Sequence, residues 1–315
     1  MTSRQHRDAS EASQASGHAA RGRAASAHAS SDAPARHRDL LATCVAAAAR
    51  AADAIRAKTP GLATIEWQEK TSTDFVSEVD LAAESLARDV VVARHPDAVV
   101  VAEESSPEAA TGAPLAFVVD PLDGTTNFLH GYPEYAVSIA AVREGVPLAG
   151  AVLNVATGEL FTATAGGGTR RNGEPVRVST IEQPARALVG TGFPFKHPEQ
   201  VEPYLAQMGR VIRATSGIRR AGAAALDLAD VACGRFDAFW ELSLAPWDVA
   251  AGILLVREAG GRITDLAGRD APIAHGPIVA GNPAMHAWLL RTLQDERPAE
   301  RPAERRAPSA ERHSP

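Results

Sequence analysis

The stretch F-V-V-D-P-L-D-G-T-T-N-F, Phe117 to Phe128, ends an apolar run with two aspartates three residues apart. Glycine, two threonines and asparagine follow at once. Two unit charges about 4 Å apart repel by roughly 1 kcal/mol in water and roughly 4 kcal/mol at an effective dielectric near 20. Like charges at the end of a buried strand therefore call for a positive partner. Hard divalent cations suit all-oxygen sites, and Mg²⁺ in particular takes a few carboxylates together with water and substrate phosphate. Gly124 permits tight backbone approach, and the residues after it can open a short helix whose free N–H groups attract anions. Carboxylates followed directly by such a turn point to phosphoryl chemistry.

Other acids stand at element ends from which they can converge on Asp120 and Asp123. Glu103 closes the run V-V-V-A, and Asp248 follows Pro246-Trp247 at the start of a helical pattern. Asp80 lies three residues after Ser77, the spacing of a capped helix start. A helix is expected from there to about Arg94, stopped by His95-Pro96. Leu40 to Ala57 reads as an Ala-rich amphipathic helix, and Val99 to Ala102 and Leu115 to Val119 as strands. Tyr135 to Arg143, Leu148 to Val155 and Glu159 to Ala165 form an antiparallel meander joined at Glu144-Gly145 and Thr157-Gly158. In the second half, strands are expected at Leu188–Thr191, Phe236–Trp240 and Ile278–Ala280. Helices are expected at Val201–Met208, Ala223–Ala232, Asp248–Ala259 and about Pro283–Leu293, with Gly234 and Gly260-Gly261 as stops. Without a regular βαβ rhythm, the fold class is α+β, layered sheets and helices rather than a doubly wound parallel sheet.

The chain has 315 residues, 45% of them hydrophobic, enough to bury a real core. No apolar run reaches the roughly 18 residues of a membrane span, and the N-terminus lacks the apolar region of a secretory signal. These features give the expectation of a cytoplasmic protein with no membrane partner. Cys44 and Cys233 form no metal or disulfide pattern and read as buried thiols. Residues 1–38 and 295–315 are low in apolar periodicity, and the latter repeats E-R-P-A; both are expected to be disordered tails with unknown partners. The first tail carries about +3 and the last about zero, so the total of −6 leaves about −9 on residues 39–294. That acidic balance argues against nucleic-acid binding by the core. The haloacid dehalogenase phosphatases also end a strand in aspartates, but theirs are two apart, which aims the side chains differently.

At this point the sequence resembles the inositol monophosphatase family, the lithium-sensitive Mg²⁺-dependent phosphatases. Four blocks match in order: T-D-F-V-S-E-V-D at Thr73–Asp80, E-E-S at Glu103–Ser105, D-P-L-D-G-T-T-N-F, and W-D-V-A-A-G-I-L-L-V-R-E-A-G-G at Trp247–Gly261. G-T-G-F-P-F at Gly190–Phe195 looks like bacterial members. The likeness covers roughly residues 38 to 293. It implies a layered αβαβα sandwich and hydrolysis of inositol monophosphate or a related phosphorylated polyol, with histidinol phosphate, fructose 1,6-bisphosphate or nucleotide 3′-phosphates as rival substrates. A non-catalytic regulatory protein is the alternative of a different class.

The resemblance also implies roles for the matched positions. Glu103, Asp120 and the Leu122 carbonyl hold one Mg²⁺; Asp120, Asp123 and Asp248 hold a second; a third, weaker ion leans on Glu103. Li⁺ is implied as an inhibitor and a homodimer as the usual assembly. Gly124 and Thr125 bind phosphate, and Thr125, oriented by Asp80, positions the attacking water. Gly222, Ala223 and Ala224 meet the ring, and Glu241 accepts its hydroxyls. Many relatives carry a hydroxyl residue where this chain has Ala223, which removes one hydrogen bond to substrate. Lys196 and His197 follow the G-F-P-F loop and could approach an anionic substrate, but solvated surface is the expectation for both; His130 is assigned no chemistry.

Overall fold

The computed structural model describes residues 33–64, 67–71 and 74–295. Helix α1 (Ala33–Lys58) leads through a short 3₁₀ turn to a hairpin of β1 (Trp67–Thr71) and β2 (Asp74–Ser77), then α2 (Glu78–Arg94). Next come β3 (Val99–Ala102), β4 (Ala116–Asp123), the five-residue α3 (Thr125–Leu129), β5 (Ala136–Arg143), β6 (Val146–Asn154), β7 (Leu160–Thr164), β8 (Gly168–Arg171) and β9 (Glu174–Val176). The second half runs β10 (Leu188–Thr191), α4 (Val201–Ala214), β11 (Gly217–Arg219), α5 (Ala224–Ala232), β12 (Ala238–Leu244), α6 (Pro246–Glu258), β13 (Arg262–Thr264), β14 (Gly276–Gly281) and α7 (Pro283–Gln294).

Two sheets organise the chain. Strands β3 to β9 lie side by side in sequence order, antiparallel except for the parallel pair β3/β4. The smaller sheet has the order β11-β10-β12-β14-β13, with β10 parallel to both its neighbours. The expected α+β layering is what the chain adopts. Alternation along the strands shows how the layers stack, because successive side chains point to opposite faces. Phe117 and Val119 join the core under α1 and α2, whereas Ala116 and Val118 join the core around α5 and α6. On β12, Phe239 faces that same middle helical layer, while Ala238 and Trp240 face α4 and α7. The order is therefore helices, seven-stranded sheet, helices, five-stranded sheet, helices. Strands buried on both faces read as continuous apolar runs, which is why V-V-V-A and A-F-V-V lack polar alternation.

The middle layer is packed closely. A Cβ on Gly150 of β6 would stand 3.2 Å from the Ala251 Cα, and one on Gly252 would collide with Leu228 of the neighbouring helix. The glycine inside W-D-V-A-A-G-I is thus a packing requirement between α5 and α6.

The sequence placed the first ordered residue at 39, but α1 begins at Ala33. Its added turn is held by His37 Nδ1–H, which donates to the Ala165 carbonyl at 3.2 Å beyond β7. The rest of the expected tails, residues 1–32 and 296–315, lie outside the described residues, as does Thr73 of the first family block. Strand β4 extends through Asp123 rather than stopping at Val119, and β8, β9, β11 and β13 were not expected. Cys44 and Cys233 form no disulfide; burial pushes the Cys44 thiol up to about 12. Among the described residues no helix is long and apolar enough to cross a membrane.

Candidate active site

Two residues of β4, Pro121 and Leu122, stand opposite one residue of β5, because Asp120 pairs with Ser138 and Asp123 with Ala136. This is a β-bulge. In a regular strand, positions three apart point to opposite faces. Across the bulge they align with partners two apart, so Asp120 and Asp123 share the face toward the middle layer. Asp248 reaches the same point from the first turn of α6. Carboxylate oxygens of Asp120, Asp123 and Asp248 lie within 4.8 Å of one another, and among the described residues no other group of three or more such side chains converges in this way.

Each acid is held by a backbone amide. Asp120 Oδ1 accepts the Leu122 N–H at 3.0 Å, Asp123 Oδ2 accepts the Ala225 N–H at 2.8 Å, and Asp248 Oδ2 accepts the Ala245 N–H at 2.7 Å. The last bond repeats a device seen on α2, where Asp80 Oδ2 accepts the Ser77 N–H at 2.9 Å. In both helices an acid at the third helical position closes the chain entry and is fixed by doing so. Ligand carboxylates fixed by outer partners are the usual construction of a metal site.

Electrostatics support the same reading. Asp120 is 1% exposed. Burial holds its pKa well above the usual carboxylate range, and the charges of Glu103, Asp123 and Asp248 push it further. Asp123 is raised to about 7, by burial first and then by Asp248, against the amides of Ala225 and Ala224. Asp248 is raised by burial, opposed by the Ala245 amide and Lys196. A bound cation would reverse all three shifts at once. The donor set is all oxygen, anionic and preformed, so these residues fit Mg²⁺. Glu103 stands just beyond β3, half-buried, outside the converging trio but foremost among the charges acting on Asp120.

The turn after β4 joins this trio to Asp80. Gly124, at φ 87°, precedes α3; a Cβ there would sit 2.8 Å from the Glu134 carbonyl, so only glycine fits. The Thr125 hydroxyl lies 2.9 Å from Asp80 Oδ1 and 3.0 Å from the Leu122 carbonyl, either of which can accept its proton. Asp80 is buried, and burial raises its pKa against the hydrogen bonds from Ser77 and Thr125. Asn127 clamps the turn to the second half of the chain, with Nδ2 donating to the Glu134 carbonyl at 2.6 Å and the Ala221 carbonyl at 2.9 Å.

A crevice of about 180 Å³ opens beside the acids. It is lined by Asp123 and Asp248, by Gly222, Ala223, Ala224 and Glu241, and by Phe193 to His197, Ser243 and Leu244. Every ring-contacting position implied by the resemblance therefore faces it. Lys196 is exposed and His197 half-exposed, as expected of solvated residues, and both also stand at the rim of this crevice, where the chain after β10 folds back over the opening. Burial raises the Glu241 carboxyl to about 8, with Asp248 adding to the shift and Arg220 opposing it. A Cβ on Gly192 would collide with that carboxylate, which explains the second glycine of G-T-G-F. Arg220 lies 5.3 Å from the Phe193 ring centroid and 5.1 Å from that of Phe195. Sequence reasoning missed Arg220, Asn127 and the buried Asp227, whose Oδ1 has no hydrogen-bond partner among the described residues. Each of the three was an ordinary polar residue in its local context. Only Asn127, inside the block that opened the reading, carried a signal.

The fold and crevice together define a layered α+β protein built around a carboxylate site suited to divalent cations and phosphate. Residues 37–297 match the inositol monophosphatase family, and the chain belongs to that family. The protein named Nus factor SuhB in Pseudomonas aeruginosa is 43% identical over 263 residues, covering 82% of this chain and 97% of its own. The crystal structure of extragenic suppressor protein suhB from Bartonella henselae superposes with a TM-score of 0.77 at 39% identity, covering 81% of this chain and 98% of that one. The inositol monophosphatase from Anabaena gives 0.71 at 35% identity, covering 80% of this chain and 94% of that one.

Proposed function

We propose that this chain is a Mg²⁺-dependent phosphomonoesterase that hydrolyses inositol monophosphate, or a closely related phosphorylated polyol, to the alcohol and phosphate. The single observation that carries the reading is the chain of contacts Asp80–Thr125–Leu122 ending beside three converging carboxylates. Glu103, Asp120 and the Leu122 carbonyl would hold one cation, Asp120, Asp123 and Asp248 a second, and Glu103 a weaker third. Cations bound there would lower the pKa of a bound water and draw charge from the phosphoryl oxygens.

The chain's own residues supply the remaining roles. The Gly124 and Thr125 amides, at the turn into α3, present donors to a phosphate oxygen. Thr125 Oγ1, its proton directed toward Asp80 Oδ1, accepts a hydrogen from the attacking water and fixes its direction. Asp80 cannot turn away, because its other oxygen is held by the Ser77 amide and by the Ser77 hydroxyl at 2.5 Å. Glu241, kept over Gly192, faces the hydroxyls of the leaving alcohol. In the metal-free protein its carboxyl is held above the usual carboxylate range, by burial first and then by the charge of Asp248.

Relatives named Nus factor SuhB favour a second reading, in which the fold serves as a binding protein without catalysis. The intact acid set favours chemistry. Phosphate release from inositol 1-phosphate is the test. Turnover with Mg²⁺, its loss in EDTA and partial inhibition by Li⁺ support the enzyme. No turnover of any polyol phosphate with Mg²⁺ supports the binding protein. Removal of residues 1–32 and 296–315 is expected to leave turnover intact.

A further inference from the structure

Helix α2 carries more of the site than Asp80. Residues at i, i+4 and i+8 share one helix face, and here Asp80, Glu84 and Arg88 each meet a different part of the acidic crevice's support. Asp80 meets the Thr125 hydroxyl, Glu84 Oε2 accepts the Glu104 N–H at 2.8 Å, and Arg88 Nη1 reaches Ser105 Oγ at 3.5 Å. Glu84 is only 4% exposed, an unusual fate for a glutamate in the middle of a helix. Its acceptor is aimed at the backbone of E-E-S.

The rest of that turn is tied to the large sheet. Glu103 N–H donates to the Val119 carbonyl at 3.4 Å, and Ser106 N–H to the Ala102 carbonyl at 3.2 Å. Ser106 Oγ donates to the Val100 carbonyl at 2.9 Å. Between these anchors, the Glu104 amide is fixed from the helix side by a carboxylate, a charge-assisted bond stronger than a neutral one. We propose that Glu84 is a positioning residue: through the Glu104 amide it holds Glu103 at its place beside Asp120, and so sets the affinity of the Glu103 side of the site for a divalent cation. The proposal rests on Glu103 serving as a cation ligand, as set out above. Without Glu84, the turn keeps its three bonds to the sheet but loses the charge-assisted bond to the Glu104 amide.

Manganese binding to the full chain tests it, with free Mn²⁺ counted by electron paramagnetic resonance and folding followed by thermal melts. Glu84→Ala and Glu84→Asp, the latter too short to reach the amide, are expected to bind Mn²⁺ about tenfold more weakly than the unaltered protein, the scale typical of lost outer partners. Glu84→Gln keeps an acceptor of the same length and should stay within about threefold of it. Val91→Ala, at a fully buried position of the same helix that is not among the site residues, should lower the melting temperature without weakening Mn²⁺ binding. Folded Glu84→Asp with unaltered affinity overturns the proposal, as does Val91→Ala weakening the metal as much as Glu84→Ala. If Glu84→Ala does not fold, the Asp and Gln pair decides. An unaltered protein that binds no Mn²⁺ overturns the phosphatase reading itself, a different outcome from equal binding by the whole series.

Discussion

Replacing Asp123 by asparagine should stabilise the metal-free protein while abolishing its turnover. The Asp123 pKa rises from 3.8 to about 7 on folding, through burial first and then the Asp248 charge. A raised acid binds its proton more tightly in the folded state, so folding stability falls as pH rises from about 4 to about 7, and the full penalty applies above that. Three pKa units correspond to about 4 kcal/mol. Asparagine carries no charge, and its Oδ1 can still accept the Ala225 N–H that Asp123 Oδ2 accepts at 2.8 Å. Its amide nitrogen would then face the Asp120 and Asp248 carboxylates as a donor. The gain should be near zero at about pH 4 and reach about 4 kcal/mol at about pH 8, or roughly 10 °C in melting temperature for a domain of this size. Thermal melts of both proteins in EDTA across that pH range measure it directly. With Mg²⁺ present the order should invert, because only the aspartate gains from the cation. An Asp123→Asn protein in EDTA no more stable than the unaltered one at about pH 8 refutes the electrostatic account of the crevice.

Other substitutions probe the remaining parts. Thr125→Val removes the hydroxyl between Asp80 and Leu122; phosphate release should fall about a hundredfold or more, with Mn²⁺ affinity unchanged. The same change leaves buried Asp80 Oδ1 without its donor and should cost about 1–3 kcal/mol in urea denaturation. Gly192→Ala drives the Glu241 carboxylate from its seat. KM for inositol 1-phosphate should rise while hydrolysis of an aryl phosphate lacking ring hydroxyls changes little. Ala223 is the N-cap of α5 and offers no side-chain acceptor. Ala223→Ser should therefore add about 1 kcal/mol in thermal or urea melts, and it restores a hydroxyl at the crevice wall.

Local chemistry made much of this architecture legible. Ser77 with Asp80 announced a capped helix, and that capping geometry is what fixes Asp80 beneath Thr125. Continuous apolar runs at V-V-V-A and A-F-V-V marked strands covered on both faces. The spacing of Asp120 and Asp123 was visible, but the bulge that aligns them was not, since a bulge depends on the partner strand's register. Glu84 and Glu104 stand 20 residues apart, and a single glutamate on a helix carries no sign that its acceptor turns inward. Lys196 is solvated as expected, but its place at the crevice rim depends on the return of the chain after β10, which no local pattern shows. Strands β8, β9, β11 and β13 are short, and β9 contains Pro175 at the edge of its sheet, so they lack the length and alternation that identify strands in isolation.

The most direct measurement is the anomalous difference density of crystals soaked in Mn²⁺. A peak bounded by the carboxylates of Asp120, Asp123 and Asp248, with a second between Asp120, Glu103 and the Leu122 carbonyl, is the expected result. Density that shows those side chains turned apart with no ion among them would contradict it.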